Sequence, residues 1–224
     1  MPGNGTHEAP VVAIFDLDGT ITRSDTFVRF LLACLARSPA RILPCCWLPL
    51  AIVMFYLRMR SNTWLKVTFL RAIAGRSHRT DVDAIARGLV PKLMRRAVRA
   101  KAVATIDAHR KRGHRLVLAT ASLDVYVGHL AGALGFDSVV CTRVAWDDQD
   151  RLTGELDGGN CYGEQKRLAV ARLLGDRSGL RLISYSDNGS DMPLLEWSDS
   201  AVVVNASSSL QRQARARGFD IRVW

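Results

Sequence analysis

Asp16 and Asp18, two positions apart and followed by Gly19 and Thr20, are the residues of this chain whose types and spacing most suggest chemistry. At the end of a β-strand such a pair projects to one side, so both carboxylates can serve one reaction centre. Gly19 permits a sharp, left-handed turn that exposes them, and Thr20 can bond the backbone freed beyond it. Taken alone, Asp-x-Asp-Gly-Thr also suits a plain turn or a calcium loop. An EF-hand needs further oxygen ligands in regular order and a closing glutamate. The next acid here is only Asp25, which weakens the calcium reading.

The elements that must position these acids follow from the apolar pattern. Val11–Phe15 is a short continuous apolar run ending at Asp16, as expected of a strand buried on both faces. Similar runs at 115–120, 138–142, 182–186 and 201–205 alternate with helix-like segments, which predicts a parallel α/β sheet. Roughly ninety residues separate the first two strands, far more than one crossover needs, so an inserted module is expected. Residues 27–37, 64–74 and 82–100 carry apolar side chains at three- and four-residue spacings, and the insert should therefore be helical. The core resumes near Lys101.

Behind a buried strand, the Asp16 motif closely resembles the first signature of the haloacid-dehalogenase-like (HAD) phosphatases. The resemblance implies three later features, and matching residues are present. A second apolar strand ends in Thr120; Lys166 opens a helical segment; and a fourth strand ends in Tyr185-Ser186-Asp187-Asn188-Gly189-Ser190-Asp191. Open parallel sheets bind ligands beyond their carboxyl edge, where these residues would lie. Helices inserted between the first and second signatures are similar to subfamily IB. Within it, the proline-punctuated apolar run of the insert and the form of the fourth signature resemble phosphatidylglycerophosphatase C, in a group that includes phosphoserine-phosphatase-like proteins. Ser186 stands where many relatives have glycine.

That resemblance implies a Rossmann-like three-layer α/β core with a mostly parallel sheet, at 1–24 and 100–224, and an inserted helical cap of the C1 type at 25–99. It implies a magnesium-dependent phosphomonoester hydrolase in which Asp16 attacks phosphorus and forms an aspartyl-phosphate. Asp18 would act as general acid and base, and Mg²⁺ would be held by Asp16, the Asp18 carbonyl and Asp187. Lys166 would neutralise the nucleophile, Thr120 with the Ala121 amide would hold a phosphoryl oxygen, and Asn188 and Asp191 would orient metal waters and Lys166. Ser122 and Tyr126 are candidates to touch substrate, and Arg58, Arg60, Lys66 and Arg71 are candidates to bind an anionic headgroup or second phosphate.

Composition bounds the partners. The chain has 224 residues, 48% of them hydrophobic, and a formal net charge of +10, so it should fold around one sizeable core and attract anions. The basic stretch 211–217 lacks interleaved aromatics, which argues against nucleic acid. Five cysteines without repeated spacing suggest neither a disulfide framework nor a zinc site, and a reducing cytoplasmic setting fits. Met1 to Pro10 reads as a loose leader without signal-peptide features. No oligomeric state is implied.

Residues 42–57 carry no charge, include Trp47 and Tyr56, and are flanked by Arg37, Arg41, Arg58 and Arg60. This stretch is short of the ~20 residues that span hydrocarbon, and prolines interrupt it. It is expected either to pack inside the cap or to lie in the interface of an anionic membrane, peripheral or integral at its inner face. A phosphorylated lipid such as phosphatidylglycerophosphate is the favoured substrate. The rivals are a soluble phosphatase for a small metabolite such as phosphoserine, a phosphotransferase or mutase, and a non-catalytic lipid-binding module. Intact Asp16, Asp18, Lys166 and Asp187 argue against the last.

Overall fold

In the computed structural model, residues 9–224 are described, with residues 43 and 44 described in their backbone alone. The leader reading falls, for residues 1–8, outside the described residues.

Seven strands form one sheet in the order β4-β3-β2-β1-β5-β6-β7. They are β1 (Val11–Phe15), β2 (Arg115–Leu123), β3 (Ser138–Trp146), β4 (Leu152–Asp157), β5 (Arg181–Ser186), β6 (Ser200–Val204) and β7 (Asp220–Arg222). Strand β1 lies parallel between β2 and β5, and Val12 to Phe15 are sealed from solvent, which accounts for its unbroken apolar sequence. Among the described residues only β4 runs antiparallel, beside β3. Neither β4 nor β7 was expected: β4 alternates buried and exposed residues at an edge, and β7 is three residues long, so neither carries a continuous apolar run. Strand β2 also continues to Leu123, three residues past the expected end, through a register shift against β3.

The insert holds α1 (Thr26–Arg37), a 3₁₀ segment (Pro39–Cys45), α2 (Leu48–Tyr56), α3 (Asn62–Ala74) and α4 (Arg79–Arg96). The helix expected over 82–100 divides in two. Helix α4 stops at Arg96 and α5 (Ala100–Lys111) starts the return to the core. The break serves the insert's junctions, because the Arg23 amide donates to Ala97 and the Arg99 amide to Ile21, both at 2.9 Å. The entering and leaving chains are thereby tied together. A single apolar cluster crosses the boundary expected near residues 25 and 99, joining Phe30, Leu70 and Leu93 of the insert to Phe15, Leu118 and Tyr126.

The remaining helices are α6 (Asp124–Leu134), α7 (Glu164–Leu174), α8 (Met192–Trp197) and α9 (Ser208–Ala216). Beneath the sheet's reactive end, the Phe15 ring stacks on Tyr185 at 4.5 Å. The Tyr185 hydroxyl meets His109 Nε2 at 2.8 Å. Truncation of Phe15 to alanine should cost about 3–5 kcal/mol by leaving a cavity under β1, read as a lower urea midpoint. Burial, helped by His114 and Arg112, lowers the His109 pKa to about 4. The folded state therefore keeps it neutral where the unfolded chain, with an ordinary value near 6.5, takes a proton. Its contribution to stability is complete above that value and is lost as pH falls toward about 4. In urea titrations across that range, His109→Gln should show a shallower loss of stability on acidification than the wild type.

Candidate active site

The described end of β1 delivers Asp16, β2 delivers Thr120 to Ser122, α7 delivers Lys166 from its first turn, and the turn after β5 delivers Asp187 to Asp191. Lys166 is the centre of this group. Its Nζ lies 2.8 Å from Asp16 Oδ1 and 2.7 Å from Asp191 Oδ1, with all three side chains nearly sealed from water. Burial opposes the charge on Lys166, but Asp16 and Asp191 outweigh it and hold the ammonium above its ordinary value. Burial pushes the Asp16 carboxyl upward, Lys166 pulls it back, and the negative charge of Asp191 adds to the rise.

Asp191 accepts a second hydrogen bond, from the Ser186 hydroxyl at 2.7 Å. The same hydroxyl accepts from the Asn188 amide at 3.1 Å. Ser186 thus fills its departure from glycine with two bonds that shape the acidic turn. Asn188 caps that turn, its side chain accepting from the Ser190 amide at 3.0 Å. Asp191 touches Lys166 directly.

Thr20 does more than cap local backbone. Its hydroxyl accepts from the Asp187 amide at 2.9 Å and lies 3.0 Å from Asp187 Oδ1 and 3.3 Å from Asp16 Oδ2. Two carboxylates 171 positions apart therefore converge on one hydroxyl. Gly19 makes room for this convergence. It has φ +82°, and a Cβ there would stand 2.0 Å from Asp187 Oδ2.

Asp18 occupies the adjoining corner. It accepts from the Ser122 hydroxyl at 2.5 Å and the Thr26 amide at 2.7 Å. Burial and the nearby Asp25 raise its carboxyl, while these donors favour the ionised form. A carboxyl pulled both ways is suited to exchanging a proton.

For a metal, the available donors are the Asp16 and Asp187 carboxylates and the Asp18 carbonyl. Among the described residues no three His, Cys, Asp or Glu side chains cluster as a ligand set. Two carboxylates and a carbonyl, completed by water, form the hard oxygen set that Mg²⁺ accepts. Burial raises the Asp187 carboxyl, and no basic side chain among the described residues pairs with it. The donor chemistry fits a divalent cation.

A cavity of about 730 Å³ joins this acid cluster to an apolar arm. Asp16, Asp18, Thr120, Ala121, Ser122 and Lys166 line one end; Leu31, Leu48, Phe55, Leu65, Phe69 and Ile73 line the other. Lys66 of α3 enters from the insert and is buried in the wall. The other expected substrate contacts do not gather there. Arg58 and Arg60 are exposed and outside the lining, with Arg60 over the Trp64 ring at 5.3 Å. Arg71 pairs with Glu155. Tyr126 is fully buried behind the site, 3.2 Å from the Thr26 hydroxyl. Asn160 and Thr142, absent from the sequence expectations, hold Lys66 and the Ala121 carbonyl; neither belongs to a motif that spacing could reveal.

The profile of the haloacid dehalogenase-like hydrolases matches residues 13–196. The chain belongs to this family. Among its relatives, the protein CicA of Caulobacter vibrioides is 31% identical over 89% of this chain and 87% of its own length. A phosphoserine phosphatase of Mycobacterium tuberculosis is 35% identical over 51% of this chain but only 37% of its own length. A solved Bordetella pertussis protein of unknown function shares the fold, with TM-score 0.83 and 23% identity over 96% of this chain and 98% of that one. Membership of this hydrolase family, with a phosphatase among the relatives, supports a phosphatase.

Gly19→Ala should drive a methyl group into Asp187 and strain the backbone. The displaced carboxylate should lower phosphatase kcat about a hundredfold or more, whereas global stability, followed by thermal unfolding, should fall by only about 1–3 kcal/mol.

Proposed function

We propose that this hydrolase is a magnesium-dependent phosphomonoesterase acting on a phosphorylated lipid, with Asp16 as nucleophile. Asp16 Oδ attacks phosphorus while the ester oxygen leaves with the proton of Asp18, giving an aspartyl-phosphate. Asp18 then takes a proton from water, whose oxygen attacks the phosphorus; the acyl–phosphate bond breaks and inorganic phosphate leaves. Lys166 holds Asp16 in line and balances negative charge on the phosphoryl group, and Thr120 with the Ala121 amide binds one of its oxygens. Asp191 and Ser186 keep Lys166 and the acidic turn in position. Mg²⁺, held by Asp16, the Asp18 carbonyl and Asp187, would screen the repulsion between carboxylate and phosphate. The helices at 25–99 serve as a cap that keeps bulk water from the phosphoryl group.

The lipid assignment is carried by the apolar arm of the cavity. A phosphate at Asp16 leaves the rest of its ester facing Leu31, Leu48, Phe55 and Phe69, a lining suited to acyl chain. Helix α2 supports the same reading. It is apolar all round; Leu48 and Ala51 are buried, whereas Leu50 and Val53 are 60% and 50% exposed. Val28 and Leu32 of α1 are likewise exposed and border the cavity. Neither packing inside the cap nor a span describes it: half of α2 is bare, and no helix among the described residues is long and apolar enough to cross a membrane. In sequence the run is bounded by Arg37, Arg41, Arg58 and Arg60; Arg41 is held by the Ile73 and Gly75 carbonyls, while the other three are exposed, and an apolar face between exposed arginines suits the headgroup region of an anionic membrane. The rival substrate is a small metabolite such as phosphoserine, on the strength of the phosphatase relative.

With Mg²⁺, the wild type should hydrolyse phosphatidylglycerophosphate in mixed vesicles faster than phosphoserine; the reverse preference would overturn the lipid assignment. Asp16→Asn should reduce phosphate release to background on every substrate, and EDTA should abolish turnover until Mg²⁺ is restored. Paired Leu50→Glu and Val53→Glu substitutions should prevent flotation with anionic liposomes while sparing hydrolysis of a soluble aryl phosphate.

A further inference from the structure

Lys66 stands apart from the other charged groups of the cavity. It is 8% exposed, on the third helix of the insert, yet its Nζ reaches the core, donating to the Ala121 carbonyl at 2.5 Å and to Asn160 Oδ1 at 2.8 Å. The Thr142 hydroxyl lies 2.8 and 3.0 Å from the same two acceptors and, with one hydrogen to donate, helps hold them in place. Both are neutral. Among the described residues no carboxylate lies within ion-pairing distance of Lys66, whereas Lys166 is paired with Asp16 and Asp191. Asp25 and Asp18 act on Lys66 only from farther away. Burial lowers its pKa to about 8, as expected of an ammonium without a full counter-charge.

Neutral hydrogen bonds alone could fasten the insert to the core through an amide or hydroxyl, without the cost of burying a charge. The charge itself needs a partner, and an ammonium has three donors, of which two are taken. Lys66 also sits at the junction of the cavity's two ends. Ala121 and Ser122 lie on one side; the Phe27 ring, 5.9 Å from Nζ, and Leu65 and Phe69 lie on the other.

We propose that Lys66 binds a second oxyanion of the substrate, a phosphodiester or carboxylate carried on the leaving group a few bonds from the scissile phosphate. This rests on the phosphomonoesterase reading and narrows its substrate class to doubly anionic monoesters. A monoester whose leaving group is uncharged would leave the ammonium unanswered and bind more weakly.

The test uses two matched pairs with Mg²⁺. Phosphatidylglycerophosphate against phosphatidic acid, in the same vesicles, compares lipids with and without a phosphodiester. The soluble pair, 3-phosphoglycerate against glycerol 3-phosphate, compares arms with and without a carboxylate. Wild type should favour the doubly anionic member of at least one pair tenfold or more in kcat/KM, and the pair that responds identifies the source of the oxyanion. Lys66→Met should erase that preference chiefly through KM, and Lys66→Arg should keep part of it. Equal losses on both members in Lys66→Met would reduce Lys66 to a fastening between insert and core. If Lys66→Met does not fold, the wild-type ratios still decide, since no preference in either pair overturns the proposal. Wild type that hydrolyses none of the four would sink the phosphomonoesterase reading and this proposal together, an outcome distinct from hydrolysis without preference.

Discussion

Lys166 carries a positive charge where almost no water reaches, 2.8 Å from Asp16 and 2.7 Å from Asp191. Such a charge is tolerable only with its partners in place, because a buried ion left unpaired costs several kcal/mol. The requirement draws three distant parts of the chain to one point: the end of β1, the first turn of α7 and the turn after β5. Much of the surrounding polar structure follows from it. Ser186 steadies Asp191, and Thr20 links Asp16 to Asp187. Gly19 leaves the gap that a Cβ would have filled.

The parallel sheet supplies the platform on which this network is built. With β1 held between β2 and β5, the carboxyl ends of neighbouring strands point side chains into one crevice without any of them being close in sequence. The insert then closes the crevice from above, and it does so as part of the same apolar cluster as the core. The resulting cavity has a charged end and a greasy end. Under the proposed function, phosphoryl transfer would use the first and an acyl group the second.

How far this was legible differs from residue to residue. Asp16, Asp18, Thr120 and Asp187 lie in short motifs at the ends of apolar runs and Lys166 at the start of a helical segment, and the structure gathers them around one cavity or its immediate wall. The alternation of strands and helices was legible for the same reason, that buried parallel strands must be apolar throughout. Edge strand β4 and the short β7 were not, because half-exposed or brief strands carry little pattern. The split between α4 and α5 was hidden as well: periodicity continues across it, and only the pairing of the insert's two connecting chains requires the break.

The amino-acid sequence by itself determined the fold class, the helical character of the residues between β1 and β2, and which acids stand at the ends of β1 and β5, since each depends on local pattern or on motif order. Tertiary structure alone decided which basic residues reach the cavity. Arg58 and Arg60 remain in solvent, while Lys66 crosses from insert to core and loses its water. It also decided that α2 covers the cavity with one apolar face and leaves the other bare. Charge and hydrophobicity are properties of a residue, but burial and pairing depend on what distant segments bring alongside, and no spacing along the chain encodes that.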